Sequence, residues 1–261
     1  MSRILLFLAA SVLLAQETEA DYSSAKGVIA LPNKCAEVDL DSLGLTCSEQ
    51  EPCPTYLEIS SAELNNSTIV LAGNLHTPTT TIQSILLFSE DEGATWREAH
   101  ARLPGATLEA MQFFDFTHGW LSGHSTLGLP RDPFILLTTD GGRAWRKSPL
   151  FAESRVGVVE KFNFESARRG WVLVDNKGSG DAGRFELYET TNGGVIWNLK
   201  EINDRIPAEA RADRQASSVL RVRGDAKQNV LHLERQDAGK WTALSRFRLR
   251  LEDCTPPPPA N

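Results

Sequence analysis

The feature that most constrains this chain is a turn that comes back. "SEDEGATW" (89–96), "TTDGGRAW" (138–145) and "TTNGGVIW" (190–197) align without gaps. Each has a hydroxyl residue, then Asp or Asn two positions on, Gly two further, and Trp three beyond that. The tryptophans, Trp96, Trp145 and Trp197, are 49 and 52 residues apart. A looser, shorter copy, "ERQDAGKW", places Asp237, Gly239 and Trp241 another 44 residues on. Recurrence at about this length marks a chain of similar units, each burying its faces on its neighbours.

A second motif runs in phase with the first. "MQFFDFTHGW" (111–120) aligns with "FNFESARRGW" (162–171), so Gly119-Trp120 and Gly170-Trp171 precede the turn tryptophans by 25 and 26 residues. Val70 holds the Trp position of the first repeat. All six tryptophans of the chain belong to one motif or the other. Between the motifs lie short apolar or alternating runs separated by Gly and Asp-Gly, which predicts about four strands per repeat and no long helix. The expected fold is all-β: a β-propeller-like ring of four-stranded antiparallel blades, about four to five in number. Its neighbours cover the two faces of each blade, and closure protects the strand edges.

The turn has a mechanical explanation. Asp91, Asp140 and Asn192 are placed to accept hydrogen bonds from backbone N–H groups just downstream. Ser89, Thr138 and Thr190 can bond to the same turn, and Gly93, Gly142 and Gly194 permit a positive φ. Trp96, Trp145 and Trp197 then open the next strand and anchor it. Gly119, Trp120, Gly170 and Trp171 are expected to pack between blades.

These turns resemble the Asp-box, or BNR repeat: Ser/Thr, any, Asp, any, Gly, any, Thr, Trp. The first copy matches throughout, including Thr95; Ala144 departs in the second, and Asn192 and Ile196 in the third. With the Gly-Trp motif, residues of about 55 to 200 are most similar to the photosystem II assembly-factor-like propellers and more distantly to sialidase-like propellers. The resemblance implies that each box lies on the hairpin between the third and fourth strands of a blade, at the outer rim. It is specific for fold and weak for function, because enzymes and binding modules share it.

The N-terminus has Arg3 followed by an apolar run from Ile4 to Ala15, too short to span a bilayer and typical of a secretory leader. Cleavage after Ala15 or after Ala20 would each leave a small residue at the junction. Cys35, Cys47, Cys53 and Cys254 remain, an even set suited to disulfides in an exported chain. Three cluster near the N-terminus, so pairing all four must join Cys254 to that cluster. The rival reading is a metal site, but no histidine lies near and the spacing fits no zinc pattern. The expected organisation is a leader over 1–20, a cysteine-bearing segment over 21–54, a repeat domain over 55–252 and a proline-rich tail over 253–261. "KGVIALP" (26–32) is a candidate strand for closing the ring against the C-terminal repeat.

A net charge of −7 argues against a nucleic-acid binder. No phosphate loop, His-Glu-x-x-His or Gly-x-Ser-x-Gly motif is present, and no cofactor or metal is expected. The sialidase resemblance implies a Tyr nucleophile, an Asp acid/base and three arginines on a carboxylate. Tyr22, Tyr56 and Tyr188 are the available tyrosines, and Tyr188 sits in a strand leading to a rim turn. Glu90, Asp91 and Glu92, and the pair His118 and His124, are weaker candidates for catalysis or metal binding. The favoured expectation is an exported, periplasmic or secreted, non-catalytic module that binds or helps assemble a protein partner in the cell envelope or outside it. The alternative is a sialidase-like glycoside hydrolase or carbohydrate-binding propeller. Three insertions at equivalent places, 76–83, 125–133 and 175–184, are the expected partner surface. Arg246, Arg248 and Arg250 alternate with apolar residues and form one basic strand face.

Overall fold

The computed structural model describes residues 22–180, 182–211 and 219–255. The apolar leader and the end of the proline-rich tail lie outside them. The described chain is all-β apart from short helical turns and α1 (Ala208–Arg211). β1 (Tyr22–Ser23) precedes four antiparallel sheets. The first sheet comprises β2 (Tyr56–Asn65), β3 (Thr68–His76), β4 (Thr81–Ser89) and β5 (Thr95–Glu98), with β1 added on the outside of β5. The second contains β6 (Ala106–Phe113), β7 (Gly119–Ser125), β8 (Arg131–Thr138) and β9 (Arg146–Pro149). The third has β10 (Val158–Phe164), β11 (Gly170–Asp175), β12 (Phe185–Thr190) and β13 (Asn198–Asn203). The fourth is three-stranded: β14 (Leu220–Asp225), β15 (Val230–Asp237) and β16 (Lys240–Arg248). Each sheet is a meander in chain order.

The period-two geometry of a strand explains why the middle strands read as continuous apolar runs. In β4, Ile85 and Leu87 face one layer while Leu86 and Phe88 face the next. In β8, Phe134 and Leu136 face one layer while Ile135 and Leu137 face the other. Each middle strand therefore feeds two cores. One core joins the fourth sheet to the first, a second joins the first to the second, and a third joins the second to the third. The sheets thus succeed one another in the propeller manner. On the far side of the third sheet, Leu173, Phe185 and Leu187 are covered by Ala210 of α1 and by Ile206, and that cluster holds no residue of the fourth sheet.

The two ends of the chain are woven together beside the first sheet. Ile29 forms a parallel bridge to Phe247, donating its N–H to Arg246 O at 2.7 Å and accepting from Arg248 N at 3.1 Å. Past β16, Leu249 O accepts from Leu57 N at 2.8 Å and Leu251 N donates to Thr55 O at 2.9 Å. Cys53 and Cys254 exchange both backbone hydrogen bonds, at 3.0 and 2.7 Å. Cys254 is disulfide-bonded to Cys35, and Cys47 to Cys53. Cys35, Val38, Leu40 and Leu45 form a small core with Ile82 and Cys254 that seats the N-terminal segment on the first sheet.

Candidate functional site

The three recurrent turns join third to fourth strands: β4 to β5, β8 to β9 and β12 to β13. In the second, Thr138 Oγ1 accepts from Gly142 N at 2.9 Å and donates to Asp140 Oδ1 at 2.8 Å. Asp140 Oδ1 also accepts from Ala144 N at 3.0 Å, and Trp145 Nε1 donates to Gly142 O at 3.0 Å. Gly142 has φ +94°, and a Cβ there would stand 2.8 Å from Val70 of the preceding sheet. Ser89, Asp91 and Trp96 repeat this pattern, with Thr95 Oγ1 adding a bond to Asp91 Oδ2 at 2.7 Å. Thr190 and Asn192 repeat it again, Asn192 Oδ1 accepting from Ile196 N at 2.9 Å. In that turn Gly194 O accepts from Ser148 Oγ at 2.9 Å, and the buried Trp197 Nε1 has no partner.

Burial works against ionisation of Asp91 and Asp140, but the hydrogen bonds of the turn outweigh it and hold both carboxyls below their ordinary range. Both oxygens of Asp91 and Oδ1 of Asp140 are occupied by the chain's own donors, which leaves these carboxyls poorly placed for acid/base work. The looser copy differs from the other three. Ala238 and Gly239, at φ 47° and 80°, make a two-residue hairpin, and Asp237 accepts from the Arg235 side chain. Trp241 lies under the Arg221 guanidinium, 4.1 Å from ring centroid to Cζ.

The Gly-Trp pairs open β7 and β11 but have different surroundings. Trp120 is 2% exposed, stacks on Phe164 at 3.7 Å between centroids and donates to Gly193 O at 2.9 Å. Gly170 is needed where it stands, because a Cβ would meet the Phe164 ring at 2.5 Å. Trp171 is only half-buried. It packs beside Leu173 and Leu187 on the side of the third sheet that no fourth-sheet residue covers.

Trp171 lines a groove of about 1120 Å³. Its floor is built by the first strands of the second and third sheets: Met111, Gln112 and Phe113 of β6, and Glu160, Lys161, Phe162 and Asn163 of β10. Glu63 of β2 closes one side; Glu189, Lys200 and Glu209 form the other. Lys200 Nζ bridges Glu189 at 2.6 Å and Glu209 at 3.0 Å, and these carboxylates hold it above the usual lysine range. The lining combines four large apolar side chains, Met111, Phe113, Phe162 and Trp171, with five glutamates and two lysines. Sequence reasoning did not single out this groove. Its residues come from three sheets, a loop and α1; Met111, Phe113, Phe162 and Trp171 belong to the second recurrent motif, but the motif does not show that they meet across sheets.

The other candidates lie apart from the groove. The insertions join second to third strands in the first three sheets, and none of their residues lines it. His118 pairs with Asp115 in the turn before β7, whereas His124, near the far end of β7, contacts Thr107 Oγ1 at 3.2 Å. Among the described residues no group of three or more His, Cys, Asp or Glu is arranged to hold a metal.

Tyr188 is 7% exposed between the second and third sheets; it donates to Glu186 and accepts from Arg155 at 3.2 Å. Burial, and then the hydrogen bond to Glu186, push its phenol up to about 12. Hydrogen bonds from Tyr188, Asn176 and Arg155 keep Glu186 below the ordinary range despite its burial.

No family model matches the chain, and no curated protein matches it. Among solved structures it is similar to YCF48 bound to D1 peptide, at 18% identity, over 74% of this chain and 54% of that one, with a TM-score of 0.39. It is also similar to the GH74 xyloglucanase from Xanthomonas campestris (17% identity, 69% of this chain, 27% of that one, TM-score 0.37). A third is an ulvan lyase of polysaccharide lyase family PL25 (8% identity, 78% and 55% coverage, TM-score 0.38). The chain therefore spans about half the length of the first and third and about a quarter of the second. The architecture stands on the chain's own sheet pairings and shared cores.

Proposed function

We propose that this chain is an exported, non-catalytic Asp-box propeller whose inner groove binds an extended segment of a partner protein. The observation that carries this reading is the composition of the groove. Its apolar side chains provide area to bury, while backbone and carboxylate groups supply fixed polar contacts, the usual combination at a recognition cleft. Five glutamates against two lysines favour a segment bearing lysine or arginine. Two disulfides and the leader-like N-terminus support export to an oxidising compartment. The leader over 1–20, the cysteine-bearing segment over 21–54, the repeat domain over 55–252 and the tail are proposed on the same basis.

A glycosidase reading would rest on Tyr188 and Glu186. Tyr188 is packed against Phe151, its phenol is harder to ionise than usual, and neither residue lines the groove. A nucleophile needs the opposite setting.

A photo-crosslinking residue placed in turn at Phe162, Lys200, Thr79, Gly128 and Gly180, in cells, tests the proposal. A specific protein adduct from the first two positions supports it. Adducts confined to the last three would move the partner to the insertions. Turnover of sialosides or aryl glycosides by purified protein, lost in Tyr188→Phe, would overturn the non-catalytic reading.

A further inference from the structure

The outward face of the fourth sheet is polar where the faces between sheets are apolar. Leu220, Val222, Leu231, Leu233 and Phe247 of β14–β16 all turn toward the first sheet. The alternate positions turn away, and register sets them in rows. Arg223 is opposite His232, and His232 is opposite Arg246. With adjacent strands about 4.8 Å apart, this Arg-His-Arg row is about 10 Å wide.

We propose that Arg223, His232 and Arg246 form a binding site for a tetrahedral oxyanion, the phosphate or sulfate group of a small ligand or a headgroup. Three observations on this face support the assignment. His232 Nε2 is buried and has no hydrogen-bond partner, an arrangement unfavourable by itself and relieved by a ligand oxygen. Arg223 and Arg246 flank that imidazole from the two neighbouring strands, so two guanidiniums converge on one face of the sheet. The acidic groups of the described residues do not satisfy both of them. Glu234 is engaged by Arg221 at 2.6 Å and stands 3.6 Å from Arg223, while Asp225 accepts from the backbone N–H groups of Lys227 and Gln228. Arg246 is exposed and, among the described residues, has no acidic partner; the same holds for Arg248.

A tetrahedral oxyanion has enough acceptor positions for two guanidiniums and one imidazole N–H together, whereas the two oxygens of a carboxylate suit a single guanidinium fork. The site is on a different sheet from the groove and does not depend on it.

Calorimetric titration with inorganic phosphate and with sulfate at low ionic strength tests the site directly. Saturable binding is expected, with a shift of the His232 side-chain nitrogen resonances. Affinity should fall about tenfold or more in Arg246→Gln and in Arg223→Gln, as expected for loss of one charge-assisted contact. Arg250→Gln, which removes a guanidinium paired with Asp253 outside the row, should bind as the parent does. Flotation with phosphatidylcholine vesicles, plain or containing phosphatidic acid, distinguishes the sources. Arg246-dependent retention on the acidic vesicles alone assigns a headgroup, and binding of free anion without retention assigns a small ligand. The proposal is overturned by the absence of both responses, by binding that persists in Arg246→Gln, or by acetate or an acidic peptide binding as well as phosphate.

Discussion

Trp96 donates its indole N–H to Ser245 Oγ at 3.1 Å, across 149 residues of chain. Ser245 Oγ in turn donates to Gly93 O at 2.7 Å, and the Phe247 ring meets the indole edge-on at 5.5 Å. The first recurrent turn is therefore held by the last sheet. Ser245→Ala leaves the indole its bond to Gly93 O at 3.0 Å and should cost about 1 kcal/mol. Phe247→Ala empties a fully buried site and should cost about 3–5 kcal/mol. Denaturant unfolding of the two variants checks both values and their order.

Asn192 does in the third turn what Asp140 does in the second, accepting one backbone N–H and one hydroxyl. Asp140→Asn keeps the acceptor contacts but loses the charge, so it should lower the melting temperature by less than Asp140→Ala, which should lower it by several degrees, about 1–2 kcal/mol. Equal losses in both variants would show that charge, rather than acceptor geometry, holds the turn.

Acid should unfold the protein through its lowered carboxyls. Burial opposes ionisation of Asp91 and Asp140, yet their turn hydrogen bonds prevail; for Asp175 the Arg184 hydrogen bond is the leading cause of lowering. A carboxyl depressed in the folded state contributes stability above its unfolded pKa, and the contribution is lost as pH falls through the folded value. The melting temperature should be level from about pH 7 to 5 and decline below about pH 4, where unfolded aspartates begin to protonate. A decline already complete at pH 5 would point to other groups.

The two disulfides should contribute unequally. Cys35–Cys254 closes a span of 219 residues and Cys47–Cys53 a span of 6. Loop-closure entropy gives about 5 kcal/mol for the first and about 2 kcal/mol for the second. Unfolding of Cys35→Ser/Cys254→Ser and Cys47→Ser/Cys53→Ser variants tests the ranking, and non-reducing peptide mapping tests the pairing.

Trp120 and Trp171 occupy the same place in their repeats and should respond differently. Trp120→Ala removes a buried, stacked ring and should cost about 3–5 kcal/mol. Trp171→Ala should cost roughly half of that, because its ring is already part-exposed to the groove. If the groove takes a partner, only the Trp171 variant should lose the crosslinks while remaining folded.

The repeat makes the all-β architecture legible in the sequence. Spacing placed Ser89, Thr138 and Thr190 at matching points, and periodicity gave the strands between them. What it did not convey was a difference between equivalent positions. Trp171 is aligned with Trp120, but the neighbour that would bury it is a later segment, and here Ile206 and Ala210 cover only part of that face. The groove was hidden for the same reason: Glu63, Met111, Phe162 and Lys200 are far apart in sequence and meet only through the succession of sheets. "ERQDAGKW" failed as a fourth copy because, with one residue fewer, Ala238 and Gly239 form a tight hairpin with no room for the carboxylate to lock a wider turn.

Ile29 rests on Phe247, Thr55 on Leu251, and Cys35 on Cys254. During synthesis, the earliest of these residues emerge without the surfaces that will cover them. The first sheet can pair its own strands early, but one of its faces must wait for the final thirty or so residues before Cys254 to arrive. The first sheet is thus completed only by the fourth, and any nascent form stopped before β16 exposes Leu57, Ile69 and Trp96.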